Sequence, residues 1–530
     1  PEEYRQRLHA IRDYIRDGDT YQVNFTYRLR AKTGIDPWDL FVQMAAPDGT
    51  PYAAFVDTGA WAVCSASPEL FLRLDGEQIE SRPMKGTAAR GLWAEDDQAR
   101  AAALRASVKD QAENVMIVDM VRNDLGRIAE AGSVQAPSLF DVEQYPTVWQ
   151  MTSTVRAITR APLTEILQAT FPPASITGAP KRRAMEIIAE LETSPRQVYT
   201  GAIGFVAPGR RAQFNVAIRT VLVNRAAGAA EYGVGGGIVW DSQPDAEQAE
   251  CLTKARALRP PRRDFDLLET LPWSPGDGYG LLEPHLKRLA QSAAYFGFRV
   301  DLNRIRAELD GCAARLASGS AGMPTAAGGG CGAPSLPACV EALFRVRLVV
   351  SRSGACQCQA TPLTPAARQF GDLALARNPV DSGDVFLYHK TTWRQVYEDA
   401  VKACPGHEDV LLFNEKGEVT ESTIANAAFE LDGRLCTPPV RCGLLPGTLR
   451  AVLLERGELC ERIVTRAQAL AAPAVYLLNS VRGIHRVQIS VQPIHGIDSG
   501  TQVRLGRLVH HRDFVHEPRN VSWNGSSPTS

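Results

Sequence analysis

Two hydrophobic periods share the first 258 residues of the chain. Apolar positions alternate with polar or small ones in "FLRLDGEQIE" (71–80), "VAIRTVLV" (216–223) and "EYGVGGGIVW" (231–240), the period of a strand with one buried face. In "AENVMIVDMVRND" (112–124) and "KRRAMEIIAELE" (181–192) they recur every three or four residues, the period of a helix. Strand and helix patterns that do not alternate regularly predict an α+β fold rather than a doubly wound parallel sheet.

The opening "PEEYRQRLHAIRDYIRDGD" starts inside an amphipathic helix, which suggests a first domain, 1–258, that lacks its N-terminal part. At "LRPPRRD" (258–264) two prolines and three nearby arginines break any element and predict a linker over 259–263. A second domain then opens with "FDLLETLPW" and is expected over 264–485. Within it, "ASGSAGMPTAAGGGCGAPSLPA" (317–338) is too poor in large apolar residues to order itself and predicts a flexible insertion. The last stretch, 486–530, drifts into polar low complexity and is expected to be a disordered tail.

The 530 residues hold 58 Lys plus Arg against 59 Asp plus Glu, a net charge of −1. That balance gives no reason to expect a nucleic acid or a membrane surface as partner. No apolar run approaches the roughly 18 residues of a membrane span and no signal sequence is visible, so the cytoplasm is the expected compartment. The 11 cysteines show neither zinc-site spacing nor a disulfide framework.

Asp110 with Glu113, and Glu247 with Glu250, stand three residues apart in helical stretches, so each pair shares a helix face. Four carboxylates brought together in this way suit Mg²⁺. Lys85, in "SRPMKGTAAR" (81–90), sits in what reads as a short polar turn, where a lysine is ordinarily a solvated charge.

Eight segments alter both readings: "GDTYQVNFT" (18–26), "SASPELF" (65–71), "RPMKGTAARG" (82–91), "AENVMIVDMVRNDLGR" (112–127), "SITGAPKRRAMEII" (175–188), "YTGAIGF" (199–205), "NVAIRT" (215–220) and "GVGGGIVWDSQPDAEQAE" (233–250). In this order they resemble the chorismate-utilising enzymes. The resemblance implies a two-sheet domain flanked by helices that binds chorismate through Mg²⁺. Gln22 stands where water-adding members carry a lysine base, which disfavours water activation. Lys85 stands where anthranilate-forming members have alanine, and this matches the branch that aminates C4. The resemblance therefore implies that Lys85 attacks C2 and expels the C4 hydroxyl, with ammonia then entering at C4, and that Glu69 is the general acid for the departing hydroxide. A nucleophilic lysine needs a depressed pKa; nearby cations would lower it and glutamates oppose them. Glu113 and Glu250 are implied Mg²⁺ ligands, supported by Asp110 and Glu247, while Tyr199, Arg219, Lys254, Thr87 and the Gly235 backbone would hold substrate. Gln150 replaces the family's usual histidine, which leaves that position a role in orientation but not in proton exchange.

The second half resembles the fold-type IV pyridoxal-phosphate enzymes, the pyruvate-releasing lyase that acts on 4-amino-4-deoxychorismate and its aminotransferase relatives, in "EPHLKRLAQSA" (283–293), "YHKTTWRQVY" (388–397), "LLFNEKGEVTESTIAN" (411–426), "GLLPGTLR" (443–450) and "NSVRG" (479–483). It implies that Lys390 carries pyridoxal phosphate as a Schiff base and shuttles protons, and that Glu421 pairs with the pyridinium nitrogen. Arg288 and the Gly447–Thr448 backbone would grip the phosphate. Joined, the halves would turn chorismate and ammonia into 4-aminobenzoate and pyruvate. No G-x-C-x-G nucleophile turn is visible, so ammonia is expected from solution or from a separate glutamine amidotransferase subunit, the source that the family resemblance implies, and the resemblance of the second half implies a homodimer. Two alternatives remain: a D-amino-acid or branched-chain aminotransferase as the second half, or one half kept only as a partner-binding scaffold.

Overall fold

The computed structural model describes residues 2–45, 50–255, 263–318, 343–364, 370 and 373–490. The expected linker (apart from Arg263), nearly all of the expected insertion and residues 491–530 of the expected tail lie outside them.

Two antiparallel sheets build the first half. One runs in the order Ala54–Asp57, Trp61–Ser65, Thr220–Asn224, Ala229–Ile238, Gln22–Lys32 and Gly178–Ala179. The other runs Ala202–Ala207, Arg211–Val216, Leu70–Asp75, Gln78–Arg82, Val148–Ile158 and Met84–Ala89, with Gln135–Gln144 also paired to Val148–Ile158. Each sheet has its own core. Leu8 and Ile11 of helix Glu2–Arg16, with Ile187 and Leu191 of helix Lys181–Leu191, pack on Val23, Val221 and Val234 of the first sheet. Ile117, Val121 and Leu125 of helix Val108–Gly126 pack on Leu72, Ile79 and Val155 of the second. Asp110 and Glu113 stand seven and four residues before Ile117 and so continue the same helix face beyond the apolar cluster, toward the helix N-terminus, where the Ser107 hydroxyl caps the helix by accepting the Asp110 N–H at 3.3 Å.

Two local expectations change. "VAIRTVLV" is not one strand: Arg211–Val216 ends in one sheet, Thr220–Asn224 begins in the other, and Arg219 turns between them at φ 51°. Alternation alone cannot reveal such a crossing, since both strands keep the same period on either side. Lys85 lies not in a turn but within strand Met84–Ala89, which pairs with Val148–Ile158.

The second half combines a four-stranded antiparallel sheet, Gly278–Tyr279, Leu267–Ser274, Phe344–Val350 and Cys356–Pro362, with a larger mixed sheet around Asp409–Phe413, Val419–Ser422 and Asn426–Leu431. Helices Leu282–Phe296 and Leu302–Ala317 cover the smaller sheet through Leu286, Leu289, Ile305 and Leu309. The tail expected from 486 begins as ordered strand instead. Gly483–Val487 pairs with Val475–Asn479 and Ile489 pairs with Leu373, so ladder hydrogen bonds hold residues whose composition alone looked disordered. No helix among the described residues is long and apolar enough to cross a membrane.

The halves meet through residues 90–93, just past the strand that carries Lys85. The Arg90 guanidinium grips Asp97 at 2.7–3.1 Å, donates to the Tyr145 and Tyr295 carbonyls at 3.0 and 3.3 Å, and lies 4.3 Å from the centre of the Tyr295 ring. Tyr295 returns a hydrogen bond to the Gly91 carbonyl at 2.8 Å, and Trp93 stacks on Tyr388 at 5.4 Å. Removing one partner of a buried pair strands the other charge. Arg90→Ala is expected to cost about 3–5 kcal/mol of stability by urea unfolding, and Arg90→Ala with Asp97→Ala together should cost less than the sum of the two.

Candidate active sites

The first half encloses a cavity of about 330 Å³ whose walls come from both sheets and from helices Val108–Gly126 and Pro244–Ala255. Glu69, Lys85, Thr87, Asp110, Glu113, Tyr199, Arg219, Gly235, Glu247, Glu250 and Lys254 all line it, as does Gln150. The fold thus brings together every candidate residue of this half.

Strand Ala229–Ile238 makes the enclosure through its glycines. A methyl on Gly233 would fall 2.2 Å from the Tyr199 ring, and one on Gly235 2.4 Å from the Phe25 carbonyl oxygen. On Gly236 it would lie 3.1 Å from Glu247 Oε2, and on Gly237 2.5 Å from Lys85 Nζ and 2.9 Å from Gln22 Nε2. The Gln22 amide is buried without a hydrogen-bond partner beside that amine.

Burial drives the Lys85 pKa below that of an ordinary lysine, and Lys254 adds to the effect, whereas Glu113, Glu250 and Glu69 oppose it. Desolvation therefore decides the direction of the shift, against three carboxylates. The same burial lifts Glu69 to about 7, against a hydrogen bond from Ser175, the charge of Lys85 and the Met84 N–H. Burial also raises Glu113 and Glu247, the latter although it accepts the Ser242 hydroxyl at 2.7 Å. Glu250 differs: burial would raise it, but Lys254 at 2.8 Å holds it down. Lys254 also donates to the Gly235 carbonyl at 2.9 Å, so its ammonium is already shared by two of the candidate groups.

Gln150 donates to the Gly86 carbonyl at 2.7 Å and accepts the Thr87 hydroxyl at 3.0 Å. It thus holds residues 86 and 87 of the strand that carries Lys85. Asn114 and Ser175 were missed. Asn114 donates to the Lys85 carbonyl at 3.3 Å and accepts the Ser153 hydroxyl at 2.5 Å. A polar residue on the apolar side of an amphipathic helix was the available signal for Asn114. No three Asp, Glu, His or Cys groups among the described residues form a ready metal cage. Partly buried carboxylates around an open cavity nevertheless fit Mg²⁺, a hard cation that keeps water and substrate oxygens in its shell.

The second half encloses a cavity of about 520 Å³ lined by Lys390, Glu421, Arg288, Gly447 and Thr448, again the full set of candidates. Burial lowers Lys390 to about 8, helped by Arg288 and Arg394. Burial raises Glu421 to about 7 even though it accepts the Leu445 N–H at 3.1 Å and the Tyr397 hydroxyl at 2.8 Å; Asn426 donates to it at 3.0 Å. A methyl on Gly447 would lie 1.9 Å from Asn426 Oδ1, so only glycine admits this cradle, and Gly447 caps helix Thr448–Glu455.

Arg288 departs from its expected use. Its Nε and Nη2 are spent on buried Glu269 at 2.9 and 2.6 Å, and its Nη1 reaches the Pro446 carbonyl at 3.2 Å. Burial would raise Glu269, but Arg288 and His285 hold it at about 2. The fork thus braces the Pro446 carbonyl, one residue before the Gly447 that caps the helix. His285, Tyr397 and Asn426 were missed although they lie inside quoted motifs, because their role depends on partners far away in sequence. A lysine with a lowered pKa, a carboxylate for a pyridinium nitrogen and a helix start fit pyridoxal phosphate.

Residues 1–260 match the model of the chorismate binding enzymes, and residues 266–489 match that of amino-transferase class IV. Over 256 residues the chain is 44% identical to the aminodeoxychorismate synthase of Streptomyces pristinaespiralis, covering 48% of this chain and 35% of that protein. It is 41% identical to aminodeoxychorismate synthase component 1 of Escherichia coli K12 over 259 residues, covering 48% of this chain and 57% of that one. The chain thus spans little more than half, or less, of the curated relatives it matches. A solved structure from Mesorhizobium loti, assigned as an amino-acid aminotransferase, is 35% identical with a TM-score of 0.36 and covers 43% of this chain and all of that one.

Gly237→Ala places a methyl where the Lys85 amine sits. It is expected to cost about 1–3 kcal/mol through over-packing and to slow acetylation of Lys85 relative to Lys287, as read by peptide mass spectrometry.

Proposed function

We propose, for a chain whose residues 1–260 belong to the chorismate binding enzymes and whose residues 266–489 belong to the class IV aminotransferases, that the halves catalyse consecutive steps from chorismate to 4-aminobenzoate. What carries this reading is the pairing in one cavity of a lysine amine lowered by burial with Glu69 raised to about 7. One can attack while the other still holds a proton to give.

In the first half, neutral Lys85 forms a bond to C2 of chorismate, both ring double bonds shift, and the C4 hydroxyl leaves as water with the proton of Glu69. Ammonia then bonds to C4, both double bonds shift back, the Lys85 nitrogen departs as the neutral amine, and the new C4 ammonium returns a proton to Glu69. The net change is chorismate plus ammonia to 4-amino-4-deoxychorismate plus water. A Mg²⁺ ion held by Glu113 and Glu250, with Asp110 and Glu247 behind them, would neutralise the substrate carboxylate. Arg219, Tyr199, Thr87, the Gly235 backbone and Lys254, once Glu250 is engaged elsewhere, orient the same substrate. Ammonia is supplied by a separate glutamine amidotransferase subunit.

In the second half, pyridoxal phosphate would supply an electron sink for the bonds that break as pyruvate is released. Lys390, held near neutrality, moves the proton, Glu421 faces the ring nitrogen and the helix start at Thr448 receives the phosphate. Amino transfer is the second reading, favoured by the family to which this half belongs, and it differs in requiring a keto-acid acceptor.

The purified protein, given chorismate, Mg²⁺, pyridoxal phosphate and a high ammonium concentration, is expected to yield 4-aminobenzoate and pyruvate with no keto acid added. Product formed only when a keto acid is present would replace the lyase reading by the aminotransferase one. Lys85→Ala should stop amination. Because the acid must be protonated, the amination rate should fall as pH rises through about 7. Glu69→Gln should lose about 10²–10⁴-fold in rate and that descending limb with it, which a pH–rate profile checks.

A further inference from the structure

The second cavity carries far more positive charge than its cofactor cradle needs. Five arginines, 288, 345, 347, 394 and 482, and Lys390 line it, against one carboxylate, Glu421. Arg288 is neutralised by Glu269, but the other four arginines are not. Among the described residues none of these four has a carboxylate within salt-bridge distance. Among the described residues Arg345 donates to the Thr361 hydroxyl at 3.3 Å, and the Arg347 guanidinium has no side-chain hydrogen bond. Arg482 lies over the Phe370 ring at 5.0 Å, and Arg394 over that of Tyr397 at 4.6 Å while donating to the Thr423 carbonyl.

Strand alternation explains how Arg345 and Arg347 come to face the cavity. Val346, Leu348 and Val350 point into the core beneath the smaller sheet, so the residues between them share the opposite face. Their neighbours across the ladder, Thr361 and Gln359, also line the cavity and are neutral. Arg482 arrives from the turn after Val475–Asn479, and Arg394 from just beyond Lys390. Like charges gathered from three separate segments repel one another: burial lowers Arg482 and Arg345 adds to that, although Asp409 and Glu408, which do not line the cavity, oppose it. Arg345 and Arg347 are exposed at the mouth and Arg394 and Arg482 half-buried, so the rim offers solvated forks to an entering anion.

We infer that Arg345, Arg347 and Arg482 make this cavity selective for amines that carry two carboxylates, Arg394 standing beside Lys390 at the inner end of the same rim. The inference deepens the lyase reading, on which it rests for the identity of the amine: 4-amino-4-deoxychorismate is such a dianion, whereas a branched-chain amino acid offers one carboxylate and an apolar side chain. Arginine forks recognise carboxylates in pairs of parallel hydrogen bonds, so each lost fork weakens the dianion more than the monoanion.

The test is calorimetric binding of benzene-1,3-dicarboxylate and of benzoate to the pyridoxal-phosphate-loaded full chain, with Arg347→Gln, Arg482→Gln and Arg347→Lys as variants. The wild type should bind the dicarboxylate about tenfold or more tightly than benzoate, a single charged hydrogen-bonding group being enough for that ratio. Each glutamine variant should remove most of the preference while cofactor content and absorbance stay as in the wild type, and Arg347→Lys should keep part of it. Equal wild-type binding of the two acids, or unchanged preference in both glutamine variants, would overturn the inference. So would loss of cofactor affinity in them, since the arginines would then serve the phosphate. A chain that prefers the dicarboxylate but releases no pyruvate leaves this inference standing and removes the lyase reading; pyruvate release without the preference does the reverse.

Discussion

Desolvation of two lysine amines is the interaction on which both halves depend. In each cavity a lysine and a glutamate attract one another, and in each the burial of both groups outweighs that attraction. Lys85 is lowered while Glu69 rises to about 7; Lys390 falls to about 8 while Glu421 rises to about 7. The opposite shifts follow from one cause, because low dielectric penalises the charged form whichever sign it has. The contrast lies in the same cavities. Glu250 touches Lys254 at 2.8 Å and Glu269 touches Arg288 at 2.6 Å, and there contact wins and the carboxylates stay ionised. The fold thus separates groups kept charged by direct contact from groups whose charged form burial disfavours, and of the latter Glu69, Glu421 and Lys390 are brought to within about one unit of pH 7.

That separation needs walls that approach closely, and the chain provides them by leaving side chains out. Gly233, Gly235, Gly236 and Gly237 present bare backbone to Tyr199, strand Gln22–Lys32, Glu247 and Lys85 in turn. A side chain on any of them would move a functional group rather than a spectator. Arg219 belongs to the same economy of space: its left-handed backbone carries the chain from one sheet to the other, so its guanidinium enters the cavity at the seam between them.

The candidate residues of each cavity were more legible in the sequence than the strand boundaries that bring them together. Helical spacing put Asp110 with Glu113 and Glu247 with Glu250 on shared faces, and motif order singled out Lys85, Glu69, Lys390 and Glu421, which line the two cavities, because each of those signals is local. Arg288 lines the expected cavity, but its pairing with Glu269 was not legible, since nothing near it in sequence names that partner. The arginine rim was invisible for a related reason. Arg345 and Arg347 look like the solvated face of an ordinary strand, and only the fold reveals that Arg394 and Arg482 converge on the same space. Lys85 was misread as lying in a turn because proline and glycine flank a strand too short and too polar to show its period.

The contact between the halves follows from where those lysines sit in the chain. Five residues after Lys85 the backbone leaves its sheet at Arg90, and Trp93 stacks on Tyr388, two residues before Lys390. His389 lies between, with its ring 4.4 Å from that of Tyr295, which in turn stands over Arg90. Burial holds His389 neutral, at about 3, so this packing adds no charge beside Lys390. The segment that presents one lysine is therefore built into the core that supports the other, and residues 90–93 complete the second half's packing as much as their own. A second half cut away at the linker would expose Tyr388 and Tyr295 to water just where the position of Lys390 is set, so the two cavities are joined by shared packing as well as by a covalent chain.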